Sequence, residues 1–168
     1  VRNEEGIVKL DHVSFTANSG EILGIAGIAG SGQKELLEAI AGLQVTEAGS
    51  ICYVEQDGKR EQLIGKDPLK IQEMGVSLSF VPEDRLGMGL VGSMDLTNNM
   101  MLRSFRRGHS PFVDRSAPRK VAENVVRDLE VSTPSLATPV RRLSGGNVQK
   151  VLVGREITSA PTVLLTAY

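Results

Sequence analysis

The chain has 168 residues, the length of about one domain. Its 19 Lys and Arg residues are balanced by 20 Asp and Glu residues, which gives a net charge of -1. A protein that neutralises a nucleic-acid backbone needs a basic excess, so the composition excludes that class. The single cysteine, Cys52, excludes an internal disulfide and a cysteine-based metal cage. No apolar run in the sequence approaches the roughly 20 residues that span a bilayer.

The start of the chain predicts three short strands, a glycine-rich loop and a helix. Alternating apolar and polar residues predict strands over 7–10 and 13–15, and the compact apolar run over 21–26 predicts a buried strand. The loop over 27–32 follows, and apolar residues at helical spacing predict a helix over 33–41.

The next stretch predicts a hairpin, a helix and a strand. The hairpin pairs 51–54 with 62–64 around an Asp-Gly turn. Pro near its start and Gly after its end predict a helix over 68–74. A strand is predicted over 76–81, where Pro82 stops it.

The remainder is mainly helical. Helices are predicted over 96–104, 117–129 and 147–157, the second because Val121, Val125 and Leu129 recur every four residues. A strand is predicted over 162–166, and because the sequence stops beside it, we expect the chain to be part of a longer protein.

The glycine-rich loop between a strand and a helix is typical of phosphate binding, because glycines let backbone N–H groups converge on an anion. The full nucleotide-binding pattern is G-x-x-x-x-G-K-[ST]. Here Gln33 takes the Lys position and Lys34 the Mg²⁺-ligating hydroxyl position. A one-residue shift rotates a helical side chain by about 100°, so Lys34 does not simply replace the missing lysine. Spacing alone leaves a structural turn and a weakened anion site as open alternatives.

A second glycine-containing segment precedes the helix over 147–157. Its candidate functional residues are Leu143, Ser144, Gly145, Gly146, Asn147 and Gln149. By itself, Ser-Gly-Gly before a helix indicates an N-cap with a flexible lead-in.

Taken together, these segments resemble an ATP-binding cassette (ABC) ATPase domain. Leu-Ser-Gly-Gly followed by Asn-x-Gln-Lys is similar to the ABC signature motif, and the glycine loop lies upstream of it as in that family. Val-Pro-Glu-Asp-Arg over 81–85, Gly-Leu-Val over 89–91 and Asn99 resemble the second ATP-binding domain of tandem importers for simple sugars and nucleosides. The resemblance covers about 6–168.

The resemblance implies an α/β fold. This would be an ABC-type P-loop NTPase core with an antiparallel β edge subdomain and a helical insertion, and with the C-terminal part of the core missing. The single domain, 1–168, would divide into a β subdomain with the P-loop core over 1–82, a helical subdomain over 83–142, and the signature helix with the start of the Walker B strand over 143–168.

The same resemblance implies a degenerate nucleotide site. Its loop residues would be Gly27, Gly30, Ser31, Gly32, Gln33, Lys34 and Glu35. The Q-loop region would be Pro82, Glu83 and Asp84, which lacks the usual Gln. The Walker B Asp and catalytic Glu positions hold Ala167 and Tyr168, and neither side chain binds Mg²⁺ or polarises a water. The resemblance therefore implies no catalytic residue and no metal ligand in this chain, and little or no ATP hydrolysis at its own loop.

The signature segment, in contrast, is complete. The resemblance implies that it caps an ATP, with its Mg²⁺, that is held mainly by a partner: the first ABC domain of the same polypeptide or a second copy. The helical subdomain would dock on membrane permease subunits at the cytoplasmic face of the membrane, and its basic side chains are Arg103, Arg106, Arg107, Arg141 and Arg142. The alternatives are a soluble ABC-type ATPase without a membrane partner and a P-loop enzyme that transfers phosphate to a small substrate. No nucleic-acid partner is expected.

Overall fold

A computed structural model describes residues 1–2, 5–28, 30–104 and 114–167. These residues form two compact units, one comprising 1–78 with Ala167 and the other comprising 79–166. The helices and strands of the described part are, in order, α1 (Gln33–Ile40), β1 (Cys52–Val54), β2 (Arg60–Gln62), α2 (Pro68–Glu73), β3 (Leu78–Val81), a π-helical turn (Arg85–Gly89), α3 (Leu96–Met101), α4 (Ser116–Asp128), a 3-10 turn (Val140–Arg142), α5 (Gly145–Thr158) and β4 (Val163–Thr166).

The first unit contains the predicted helix α1 and the predicted hairpin. Strands β1 and β2 pair antiparallel with Cys52 opposite Gln62, so the second strand begins two residues earlier than the sequence suggested. The carboxylate of Asp67 caps α2 by accepting from the Lys70 N–H, and proline stands in the first turn of that helix. A small core of Leu63 and neighbouring apolar side chains joins the hairpin to α2.

The strands predicted over 7–10, 13–15 and 21–26 are wrong, because none of these segments forms a strand in the structure. The expected burial is wrong as well, since Ile22 is 98% exposed. A strand has to satisfy its N–H and C=O groups through a paired neighbour. Among the described residues of this region, the isolated bridge between Arg2 and Val8 is the one strand-like pairing.

The second unit has one continuous apolar core. Strand β3 pairs with β4, and helices α3, α4 and α5 pack together beside the π-helical turn. The fully or nearly fully buried core residues are Val81, Leu90, Leu96, Met100, Ala122, Val125, Val131, Val140, Val148, Val151 and Leu152. The three predicted helices and both predicted strands of this part are confirmed, with ends shifted by a few residues.

The division into subdomains over 1–82, 83–142 and 143–168 stays a prediction. Within the described ranges, no helix has the length and apolar character needed to cross a membrane.

Candidate functional site

The glycine-rich loop adopts a conformation that depends on glycine at two positions. Gly30 has a φ of +81° and Gly32 a φ of +99°, in the left-handed region that side chains rarely adopt. At Gly32 a Cβ would lie 2.6 Å from the Lys9 carbonyl oxygen. The Ser31 N–H closes the loop by donating to the Ile28 carbonyl at 3.1 Å.

The two residues at the phosphate-clamp positions are engaged within the chain. Gln33 Nε2 donates to the Ile25 carbonyl at 3.1 Å, so its side chain folds back across Gly27. Lys34 Nζ lies 3.7 Å from Oε1 of Glu38, one turn along α1. These contacts occupy both side chains within the chain, and neither contact turns a side chain toward an anion in the loop.

The start of α1 also carries an acidic side chain. Glu35 stands in the first turn, where its charge competes with an anion for the positive end of the helix dipole. No side chain caps this end. The ammonium group of Lys9 lies 3.5 Å from the Gly30 carbonyl oxygen and is the cation that the described contacts bring to the loop.

These residues do not fit a Mg²⁺ ion at this loop. Lys34 replaces the hydroxyl ligand, and Ala167, which directly follows β4, offers no carboxylate. In the part of the chain that the structure describes, no group of three or more His, Cys, Asp or Glu side chains is arranged to hold a metal. Tyr168 lies outside the described residues.

The signature segment is ordered by its own side chains. Ser144 is the N-cap of α5, and its Oγ accepts from the N–H of Asn147 at 3.4 Å and from Asn147 Nδ2 at 2.9 Å. The Asn147 Oδ1 in turn accepts from the Ser132 N–H at 2.9 Å. One asparagine therefore fixes the cap to a neighbouring loop.

Packing within the chain does not require the two signature glycines to be glycine. A Cβ on Gly145 would meet nothing closer than Arg85 Nη1 at 3.8 Å, and one on Gly146 would meet nothing within 4 Å. Both residues and Ser144 are exposed, whereas Leu143 and Gln149 are half-buried. Gly in a helix costs up to about 1 kcal/mol relative to Ala. An exposed glycine pair at a helix start leaves the backbone accessible to a group outside the chain.

The predicted Q-loop region follows β3 directly. Pro82 is buried and Glu83 is exposed. Asp84 caps the π-helical turn, since its Oδ1 accepts from the N–H groups of Leu86 at 3.2 Å and Gly87 at 2.8 Å. The Asp84 carboxylate is thus used in shaping this turn.

An ionic cluster centred on the buried Glu156 lies near the C-terminal end of the signature helix, and the sequence analysis did not single it out. The carboxylate of Glu156 binds Arg103 through Oε2 and accepts from Arg155 Nε at 2.8 Å through Oε1. Arg103 also donates to the Ser79 hydroxyl at 2.7 Å. Burial lowers the pKa of Arg155, and the neighbouring Glu156 carboxylate opposes that shift. Residues 155 and 156 continue the helical spacing of Val148, Val151 and Leu152 and so lie on the same buried face. This spacing can be read from the sequence.

The structure describes three of the five basic side chains named for the helical part. Arg103 pairs with the buried Glu156, while its own side chain stays 38% exposed. Arg141 and Arg142 are exposed beside the signature segment. Arg106 and Arg107 lie outside the described residues.

Comparison with known proteins covers nearly the whole chain. Residues 10–166 match the family model for the ABC transporter. The chain is 36% identical to the guanosine import ATP-binding protein NupO of Bacillus subtilis, an alignment that covers 99% of this chain and 32% of that protein. It is 37% identical to a glucose import ATP-binding protein of Haloferax volcanii, covering 97% of this chain and 29% of that one. The chain thus spans about a third of the length of these curated relatives.

A solved structure has a similar fold. The dimeric ATP-binding cassette MJ0796, in a post-hydrolysis state bound to ADP and Pi, superposes with a TM-score of 0.75 at 21% identity. The match covers 99% of this chain and 68% of the other. This confirms the predicted α/β cassette fold.

Proposed function

Because this chain belongs to the ABC transporter family, we propose that it is an ATP-binding domain of an importer for simple sugars or nucleosides. The relatives named above import guanosine and glucose, which supports this substrate class. The Val-Pro-Glu-Asp-Arg segment and the Asn-x-Gln-Lys extension of the signature also favour the second ATP-binding domain of a tandem importer subunit.

We further propose that the domain binds nucleotide weakly at its own loop. Phosphoryl transfer depends on positioned cations and on a group that orients the attacking water. At this loop Gln33 is bonded to a backbone carbonyl, Lys34 is paired with Glu38, and Ala167 offers no carboxylate. The loop therefore lacks the charge clamp and the Mg²⁺ ligands that hydrolysis requires.

The domain would act instead through its signature on the ATP and Mg²⁺ of a partner. The partner is the first ABC domain of the same polypeptide or a second copy of this domain. The observation that carries this proposal is the exposed Ser144-Gly145-Gly146 backbone at the start of α5, which Asn147 orders and which leaves open space around Gly146. A helix start with accessible N–H groups favours a phosphate group.

The helical part, 83–142, would meet membrane permease subunits, which would place the protein peripherally on the cytoplasmic face of the membrane. The alternative is a soluble ABC-type ATPase without a permease. Cosedimentation of the full-length protein with permease-containing membranes distinguishes the two: the importer sediments with them, whereas the soluble ATPase stays in the supernatant.

The decisive test of the signature role is Gly145→Glu in the full-length protein assembled with its partners. A carboxylate at this position would repel the γ-phosphate held by the partner, so ATP turnover should be abolished. Gln72→Glu is the control, since it adds the same negative charge at an exposed position on α2, far along the chain from the signature. Turnover that survives Gly145→Glu would disprove completion of a partner site.

A further inference from the structure

The π-helical turn after β3 is attached to the signature helix at its buried end. Arg155 Nη2 donates to the Gly89 carbonyl at 2.7 Å, and both residues are buried. Gly89 sits so close to α5 that a Cβ there would lie 2.7 Å from Leu152 Cδ2. This end of the turn therefore cannot move independently of α5.

The other end of the turn reaches the signature itself. Arg85 Nη1 lies 3.5 Å from the carbonyl oxygen of Gly145, the first residue of α5. Gly145 and Arg155 are ten residues apart, about 15 Å along the helix. The turn is thus attached to α5 at two points separated by nearly three helical turns.

The backbone that carries Arg85 is itself held in place. The Asp84 carboxylate caps the turn, and the Leu90 N–H donates to the Arg85 carbonyl at 2.7 Å. Arg85 is half-buried, and its contact with Gly145 is exposed to solvent. A displacement of residues 82–89 would accordingly reach the Gly145 carbonyl through this side chain.

We propose that Arg85 is a positioning residue for the signature: it couples the segment after β3 to the Ser144-Gly145-Gly146 backbone that meets the partner's ATP. This inference rests on the proposed function. Arg85 acts on the Gly145 carbonyl and does not itself contact nucleotide. Its removal should leave the chain folded but let the signature backbone drift from the arrangement that supports turnover.

The test is Arg85→Ala in the full-length ATPase assembled with its permease. Loss of one solvent-exposed hydrogen bond should lower kcat for ATP hydrolysis about fivefold, while KM for ATP stays within about a factor of two. Arg85→Lys should restore most of kcat, because one N–H donor suffices for one carbonyl. Arg127→Ala is the matched control, since this exposed arginine pairs with its neighbour Asp128 on α4.

A second measurement does not depend on turnover. Hydrogen exchange at the Val148 amide, which donates to the Ser144 carbonyl at 2.9 Å, should be faster in Arg85→Ala than in Arg127→Ala. Equal exchange in the two variants would count against the coupling. The urea midpoint of unfolding should be the same in both.

Gly145→Glu separates the two proposals. If it leaves turnover intact, the signature role itself fails. If it abolishes turnover while Arg85→Ala behaves like Arg127→Ala, the positioning role of Arg85 is wrong and the signature role stands. An Arg85→Lys variant as impaired as Arg85→Ala, or a change confined to KM, would also overturn the positioning role.

Discussion

Glu156 and Arg103 form an ion pair that joins the signature helix to the turn just after α3, 53 residues earlier in the chain. The Glu156 side chain is 2% exposed. Its other carboxylate oxygen binds Arg155, and the Ser79 hydroxyl donates to the Glu156 carbonyl at 3.2 Å. The buried Glu156 therefore connects β3, the turn after α3 and α5, while the Arg103 side chain remains 38% exposed.

Glu156→Ala should strongly destabilise the chain. Removing one partner of a buried ion pair leaves charge without compensation and costs about 3–5 kcal/mol. Here the buried Arg155 would lose the Glu156 carboxylate with which it pairs. The free energy of unfolding from urea titration measures the loss.

Glu123→Ala is the control for Glu156→Ala. Glu123 pairs with Arg119 one turn away on α4, and both side chains are exposed. Exposed pairs contribute little to stability, so this variant should unfold near the wild-type midpoint. Equal losses in the two variants would mean that the buried cluster adds no more stability than a surface pair.

Gly154→Ala tests the contact between α4 and α5. A Cβ on Gly154 would lie 2.6 Å from Val125 Cγ1 and 2.9 Å from Leu129 Cδ1. Overpacking of this kind costs about 1–3 kcal/mol, which outweighs the gain in helix propensity. Differential scanning calorimetry should show a lower Tm.

The same substitution elsewhere in the helix isolates the steric effect. Gly146→Ala, with open space around the new methyl group, should keep or raise Tm. Adding Val125→Ala to Gly154→Ala should recover part of the lost stability by removing the clashing methyl groups. If Gly154→Ala raised Tm as Gly146→Ala does, the close helix contact would not exist.

Helices were more predictable from the sequence than strands. Spacing of apolar residues every three or four positions is a local signal, and it predicted α4 within one residue of its ends. Strand formation depends on a neighbour that is distant in sequence. The apolar run over 21–26 therefore carried no information about whether a partner strand would pair with it.

The contacts of the candidate site also divide into those that the sequence predicts and those that it does not. The cap at Ser144 and the glycine conformations at Gly30 and Gly32 follow from local residue types. The pairing of Lys34 with Glu38 fits the helical i,i+4 spacing and was equally readable. The contact between Arg85 and Gly145 joins residues 60 positions apart, so only the folded chain reveals it.

Ser144 can be used to separate the structural role of the signature from its proposed role at a phosphate. Ser144→Ala removes an N-cap and should cost about 1 kcal/mol in the free energy of unfolding. Ser144→Asp keeps a capping oxygen and should retain stability. In the assembled full-length ATPase, however, its negative charge would face the partner's γ-phosphate, so we expect ATP turnover to be lost. Turnover by Ser144→Asp at the wild-type rate would show that no phosphate approaches this residue.

Restoring the consensus loop should restore nucleotide binding but not hydrolysis. In the double variant Gln33→Lys and Lys34→Thr, an ammonium group replaces the amide now bonded to Ile25, and a hydroxyl replaces the side chain now paired with Glu38. Both groups are those that a P-loop uses for the terminal phosphates and for Mg²⁺. Calorimetric titration with Mg²⁺–ATP should then give at least about tenfold tighter binding than the wild-type chain, a gain of about 1.4 kcal/mol.

Two comparisons make that titration decisive. The control pair Gln72→Lys and Lys66→Thr makes the same two exchanges, also without changing the net charge, at exposed positions on and just before α2, and should leave binding at the wild-type level. Hydrolysis by the double variant should stay undetectable, because Ala167 still supplies no carboxylate to hold the metal. A wild-type chain that already binds Mg²⁺–ATP as tightly as the double variant would mean that Lys9 or Lys34 provides the clamp, and the degenerate-site proposal would be wrong.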